Sequence, residues 1–323
     1  MLAYDIEDFL QYCKGKGLAV KTLSSYEQTL RLMMLYMESE NGITLTERIT
    51  PGHIAAYITY IKERGKYTVT AVRAPANHNY PDRRRDYGKA VSPITINNYL
   101  RNMNAFFNWM VADGMLRKNP VQTRHFSKVE RKQLEFVSDA DFKRLLQCMD
   151  CSKFGEYRDS IIIQLLLDTG MRVGECFATQ VIALNMAQRT IYLPAEITKG
   201  KSDRYAFFSE KAGKLLRRWL QYKDRYRDSE YLFCTNNGKQ LGVSNFEANV
   251  RKYAKRAGLK DIHPHVFRNN FAKRFLMNGG DIYTLSRILG HSSVTVTEKA
   301  YLDLSVDDLR TQYQNHSPLQ NMR

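Results

Sequence analysis

Six residues in the second half of the chain have types that could act together on an anionic group: Arg172, Lys199, His265, Arg268, His291 and Tyr301. Two guanidiniums and an ammonium carry permanent positive charge. Two imidazoles can exchange protons near neutral pH, and a phenol completes the set. Their placement is suggestive because each falls near the end of an element. Arg172 follows the helix terminator in LLDTGMRVGE, and Lys199 occupies the tip between two strand-like runs in ITKGKSDRYAFFS. His265 and Arg268 lie three apart in IHPHVFRNNFA, so a helix would put them on one face. His291 stands at a Leu-Gly turn and Tyr301 follows ten positions later, in LGHSSVTVTEKAYLDL. Taken singly, each is an ordinary surface charge or a satisfied structural group. The ordered set is harder to assign to chance.

The bulk composition names the anion. Lys plus Arg number 49 against 33 acids, a formal net charge of +16 in 323 residues, which points to a polyanion and most simply to nucleic acid. Hydrophobic content of 43% is ordinary for a globular protein, and the length suits two domains. No apolar run approaches the roughly 18 residues of a membrane span, and MLAYDIEDFL lacks the basic start and apolar centre of a signal peptide. The expectation is a soluble, cytoplasmic protein. Five scattered cysteines fit a reducing compartment. Cys148 and Cys151 form a C-x-x-C without a second ligand pair nearby, so they read as thiols and not as a zinc site.

The elements that must position the six residues follow from periodicity and punctuation. Apolar positions Tyr26, Leu30, Met33, Met34 and Met37 recur at helical spacing. A second helix opens at Thr50-Pro51 and stops at Gly65, and a third opens at Ser92-Pro93, carries the stripe Ile96 to Met110 and ends at Gly114. Between these two lies a long, polar loop with Arg83, Arg84 and Arg85, a candidate for phosphate contact. The stretch 126–137 is charged and aperiodic and reads as a linker. Ser138 then caps a new helix, an apolar helix SIIIQLLLDTG follows, and the runs RTIYLPAE and DRYAFFS read as strands. Further helices are expected near 210–223, 243–257, 264–278, 281–289 and 295–303.

These motifs resemble the tyrosine recombinases, the family that includes phage and transposon integrases and the Xer-type recombinases. The matching stretches are TGMRVGE, TKGK with a following Arg, HPHVFRNNFA and LGHSSVTVTEKAY, together with ITPGHIAAYI and SPITINNYLRNMNAFFNWMVADGMLRKNPV, so the similarity runs over nearly the whole chain. The resemblance implies a mainly α fold with a small β-sheet in the catalytic domain. It implies a two-domain DNA clamp: a helical, SAM-like core-binding domain over 1–125, a linker over 126–137, and a catalytic domain with its tail over 138–323. It also implies that Tyr301 attacks a phosphodiester to form a 3′-phosphotyrosine link, that Arg172 and Arg268 clamp the phosphate oxygens, and that Lys199 protonates the 5′-oxygen leaving group. His265 would be a general base or proton relay, and His291 a hydrogen-bond donor to phosphate. Guanidiniums suit the clamp because their planar forks bind oxyanions in bidentate fashion. No metal is expected, since the guanidiniums carry the charge on the phosphate, and no energy-supplying cofactor, since the phosphotyrosine conserves the bond energy. The expected partners are double-stranded DNA carrying specific sites, three further copies of the chain in a tetramer on that DNA, and an accessory recombinase or directionality factor.

Some features depart from the family pattern. The interval from His291 to Tyr301 is one residue longer than in many relatives, and Asn269 follows Arg268 where relatives often have His. Lys201 is a rival to Lys199 for the acid role and a candidate DNA contact. Glu175 reads as a partner that orients its neighbours. The domain assignment leaves no room for an N-terminal arm-binding domain, and the amphipathic VDDLRTQY in the tail is a candidate to dock on a neighbouring protomer. Three other activities fit less well: a type IB topoisomerase, a DNA-binding protein without catalysis, and a metal nuclease using His263, His265 and His291.

Overall fold

The first helix of the chain, α1 (Leu2–Gly15), buries Leu2, Ile6, Phe9 and Cys13, a spacing of one face of a 3.6-residue helix. In the computed structural model, which describes residues 1–69, 81–129, 136–291, 293–301, 310 and 313, α1 belongs to the unit Met1–Arg131. With it stand α2 (Val20–Asn41), α3 (Pro51–Arg64) and α4 (Pro93–Ala112). Thr50 caps α3 by accepting from the His53 amide at 3.3 Å, and Pro51 occupies the first turn. Ser92 caps α4 in the same way through the Thr95 amide. Ile54, Tyr57, Ile61, Leu100, Met103, Phe106 and Phe107 fill the core between the helices. Phe9 meets Phe106 edge-on at 5.5 Å, which locks α1 onto α4.

The second unit is Lys132–Arg323. It contains α5 (Asp139–Gln147), α6 (Phe154–Thr169), α7 (Val173–Ala178), strands β1 (Leu184–Asn185), β2 (Thr190–Leu193) and β3 (Arg204–Phe207), then α8 (Glu210–Tyr226), α9 (Val243–Arg256), α10 (Pro264–Met277), α11 (Ile282–Leu289) and α12 (Val294–Tyr301). Its centre is α6, whose run Ser160 to Leu166 is buried apart from Gln164, and which packs against both α8 and α10. Such an all-round apolar helix must be covered on several sides. The sheet is antiparallel in the order β1-β2-β3, with Ile191 opposite Ala206. Ile191, Leu193 and Ala206 face the core while Tyr192 and Tyr205 point outward, the period-two alternation of a half-covered sheet. Among the described residues no helix is long and apolar enough to cross a membrane.

The mainly helical fold with one small sheet is the class expected from the sequence. Parts of three expectations fall elsewhere. The loop after Gly65 and the 126–137 stretch lie outside the described residues at 70–80 and 130–135, and the tail segment VDDLRTQY does so except at Arg310 and Tyr313.

Candidate active site

The six residues stand at element ends or in the turns beyond them, except Arg268, which lies just inside α10. Gly170 closes α6 in the left-handed conformation at φ 63°, which turns the chain sharply and places Arg172 at the N-cap of α7. One turn into α7, the Glu175 carboxylate folds back. Its Oε2 accepts from the Arg172 amide at 2.8 Å and its Oε1 from Arg172 Nη1 at 2.9 Å. Glu175 is buried, and a lone buried carboxylate is costly. It is compensated by a third donor, Arg204 Nη2 on β3, at 2.5 Å from Oε2. Glu175 thus aims Arg172, whose side chain remains about a quarter exposed.

Arg268 on α10 is 2% exposed. Its Nη1 donates to Gly170 O at 2.6 Å, its Nη2 donates to Leu289 O at 2.8 Å, and the same Nη2 lies 3.0 Å from His291 Nε2. Arg204 Nη1 donates to Ile288 O at 2.7 Å. Two buried guanidiniums therefore satisfy consecutive carbonyls at the C-terminus of α11, the negative end of that helix. His291 emerges immediately beyond. Its amide donates to Ser286 O, and its Nδ1 lies 2.7 Å from Oγ1 of Thr297 on α12.

Gly290 makes this junction possible. It sits at φ 63°, and a Cβ there would stand 2.7 Å from Arg204 Cδ. Because Arg204 is pinned by Glu175 and Ile288, it cannot step aside. Gly290→Ala is expected to lower stability by about 1–3 kcal/mol, combining left-handed strain with the clash. Thermal unfolding of the variant checks this, and an unchanged Tm would refute the pinning.

His265 is on the first turn of α10, exposed to solvent. Its pKa is lowered, first by desolvation from the surrounding protein, then by the charges of Arg268, His263, Arg172 and Lys199. Burial, followed by Arg268, Arg172, Arg204 and His265, pushes His291 down to about 4. Burial and the surrounding positive charge thus favour the neutral form of both rings. Lys199 is exposed in the turn between β2 and β3. That turn is braced by Thr198 Oγ1, which donates to Ser202 O at 2.9 Å, and Gly200 lies against the carbonyl of Gly290. Lys201 is exposed in the same turn with φ 49°. The charge of Lys199 acts on His265.

Tyr301 is the last residue of α12, which packs on α11 and α10; its side chain lies outside the described residues. The structure thus gathers Arg172, Lys199, His265, Arg268 and His291 beside the helix that ends in Tyr301. In the other unit, Arg83 and Arg85 are exposed, while Arg84 stacks on the Tyr67 ring at 4.2 Å and lies 3.4 Å from Asp86 Oδ1. Sequence reasoning gave no role to Arg204, although it is the arginine that follows TKGK, and did not single out Thr297. An arginine at an inward position of a strand is a usable signal for the first. A threonine in a polar helix gives no such signal for the second.

A profile of the phage integrase family matches residues 135–307, and one of the phage integrase N-terminal SAM-like domain matches residues 6–76. The tyrosine recombinase XerD of Listeria monocytogenes serotype 4b is 24% identical over 303 residues, covering 91% of this chain and 92% of that protein. The tyrosine recombinase XerC of Bacillus subtilis is 28% identical over 240 residues, covering 72% and 77%. Among solved structures, the Tn1549 transposon integrase in complex with circular intermediate DNA superposes with a TM-score of 0.71 at 18% identity, covering 95% of this chain and 98% of that one.

Proposed function

This chain belongs to the phage integrase family, and from that premise we propose that it is a site-specific DNA recombinase that cuts and rejoins DNA through a 3′-phosphotyrosine on Tyr301. The observation that carries the reading is the convergence of Arg172, Arg268, His265 and His291 next to α12. A phenol titrates near 10, so its attack on a phosphodiester needs a proton acceptor and stabilisation of the charge that gathers on phosphorus. His265, neutral and exposed, is suited to take the phenolic proton. Arg172, aimed by Glu175, and Arg268 present fixed donors to the non-bridging oxygens. Their preorganisation means that little reorientation is needed in the transition state. Lys199, the turn lysine whose charge reaches His265, donates the proton to the 5′-oxygen as it leaves. His291 hydrogen-bonds the phosphate. Rejoining runs the same steps with a 5′-hydroxyl as nucleophile.

The partner is double-stranded DNA with paired recombination sites. The first unit and the second act as core-binding and catalytic domains, and four protomers exchange strands through a Holliday junction in the bacterial cytoplasm. Arg83, Arg84, Arg85 and Lys201 contribute phosphate contacts. An accessory recombinase or directionality factor sets the preferred product.

The test uses duplexes from the DNA flanking the gene, nicked so that a cleaved strand cannot religate. A protein–DNA adduct on a denaturing gel, together with strand exchange between two sites in one plasmid, supports the reading. Relaxation without exchange would mark a topoisomerase. Tight site-specific binding without adduct would mark a binding protein. Affinity should also fall steeply with salt, by roughly 10³ or more between 50 and 200 mM, because each phosphate contact releases counterions. A flat dependence in a filter-binding titration would count against DNA as the partner.

A further inference from the structure

We infer that Thr297 is a positioning residue that sets the tautomer of His291, accepting from Nδ1–H while Nε2 holds Arg268 and donating to Nδ1 when Nε2–H turns to a phosphate oxygen. The inference rests on the phosphate-site reading above, and it begins from a conflict within that site. A guanidinium has only donors. With Arg268 Nη2 at 3.0 Å from His291 Nε2, that nitrogen must carry a lone pair, so the ring's proton is on Nδ1. Nδ1–H then donates to Thr297 Oγ1 at 2.7 Å. In this arrangement His291 cannot give a hydrogen bond to phosphate.

Two routes would make Nε2 a donor. Adding a second proton is opposed by the surroundings. Burial acts first against a positive ring, followed by Arg268 on α10, Arg172 at the start of α7, Arg204 on β3 and His265 on α10, and together they push its pKa down to about 4. The other route keeps the ring neutral: one proton leaves Nδ1 to solvent and one reaches Nε2 from solvent. That exchange needs a partner at Nδ1 able both to accept and to donate. A hydroxyl does both through one oxygen by rotating, whereas a carbonyl, a carboxylate or a carbon does not. Thr297 is fully buried, which holds its hydroxyl against the ring, while the half-buried His291 keeps the ring open to the solvent that exchanges its protons. When phosphate enters, its oxygen replaces His291 as acceptor for Arg268 Nη2 and accepts from Nε2–H as well. Thr297 is also on the helix that ends in Tyr301, one turn earlier, so the same contact ties α12 to the phosphate clamp.

The experiment is a long-range proton–nitrogen correlation spectrum of the full chain with labelled histidine. His291 is assigned by its loss in His291→Gln. Wild type and Thr297→Ser are expected to show a protonated Nδ1 and an unprotonated Nε2, and Thr297→Val a mixture of tautomers. A protonated Nε2 in wild type, or a Thr297→Val spectrum identical to wild type, overturns the inference. In single-turnover adduct formation on the nicked flanking duplexes, Thr297→Val should slow the rate about tenfold with DNA affinity unchanged, and Thr297→Ser should restore it. Equal loss of rate in the serine and valine variants would also overturn it. If wild type forms no adduct, the recombinase reading falls, and the spectrum of the free protein still decides the Thr297 assignment.

Discussion

Tyr301→Phe is expected to abolish the covalent protein–DNA adduct, slowing cleavage by roughly four orders of magnitude or more, as removal of a nucleophile does. The substitution deletes one oxygen and leaves the ring, so binding to the recombination site should be unchanged. The competing tyrosines are poorly placed. Tyr283 precedes His291 and is 69% exposed on α11, and Tyr313 lies in the tail. Tyr283→Phe and Tyr313→Phe should therefore form adduct at the wild-type rate. The gel assay on nicked duplexes reads all three, with a chelator present throughout. An adduct that survives in Tyr301→Phe and disappears in either of the others moves the nucleophile. An adduct that depends on divalent metal in wild type removes the mechanism proposed here.

Arg268→Lys should produce the second-largest effect, and on two properties at once. Adduct formation should fall by about 10²–10³, the usual cost of removing one preorganised donor from a developing oxyanion. Stability should fall as well. A planar fork with five N–H groups serves Gly170 O, Leu289 O and His291 together. A single ammonium on a flexible stem cannot span them. A buried carbonyl left without its donor costs about 1–3 kcal/mol. Thermal unfolding and single-turnover cleavage separate the two effects. Cleavage at the wild-type rate in a folded Arg268→Lys would show that its guanidinium does not clamp phosphate. An unchanged Tm would show that the carbonyl contacts contribute little. Arg172→Lys offers the comparison, because the Arg172 side chain is only partly buried and is held by Glu175 alone among the described residues; it should lose activity with a smaller loss of stability.

Much of the architecture could be read from local signals. Thr50-Pro51, Ser92-Pro93 and Ser138 mark helix starts because their hydroxyls satisfy amides that the helix leaves open, and each does so here. The helix near 264–278 was expected and is Pro264–Met277, while the last helix, expected near 295–303, is Val294–Tyr301. Two short elements were not anticipated. Helix α7 has six residues, and β1 has two, too few to display a period. Helix α1 carries the helical period in its four buried positions, but it lies where a leader sequence would also be expected, which masks the signal.

The sequence by itself determined which chemical groups are available and in what order. Charge, residue type and motif spacing are properties of the chain and survive without coordinates. It did not determine which arginine would be buried. Arg172, Arg204 and Arg268 are chemically identical, yet Arg268 closes a junction between α6, α10 and α11, Arg204 neutralises Glu175, and Arg172 faces solvent. Apart from the local Arg172–Glu175 pair, their partners are backbone carbonyls, the same carboxylate and His291, 21 to 98 residues distant, and no local rule records such contacts. The same holds for the proton on His291. Its tautomer is set by a donor on α10 and a hydroxyl on α12, and only the packing of those two helices puts both within hydrogen-bond reach of one ring.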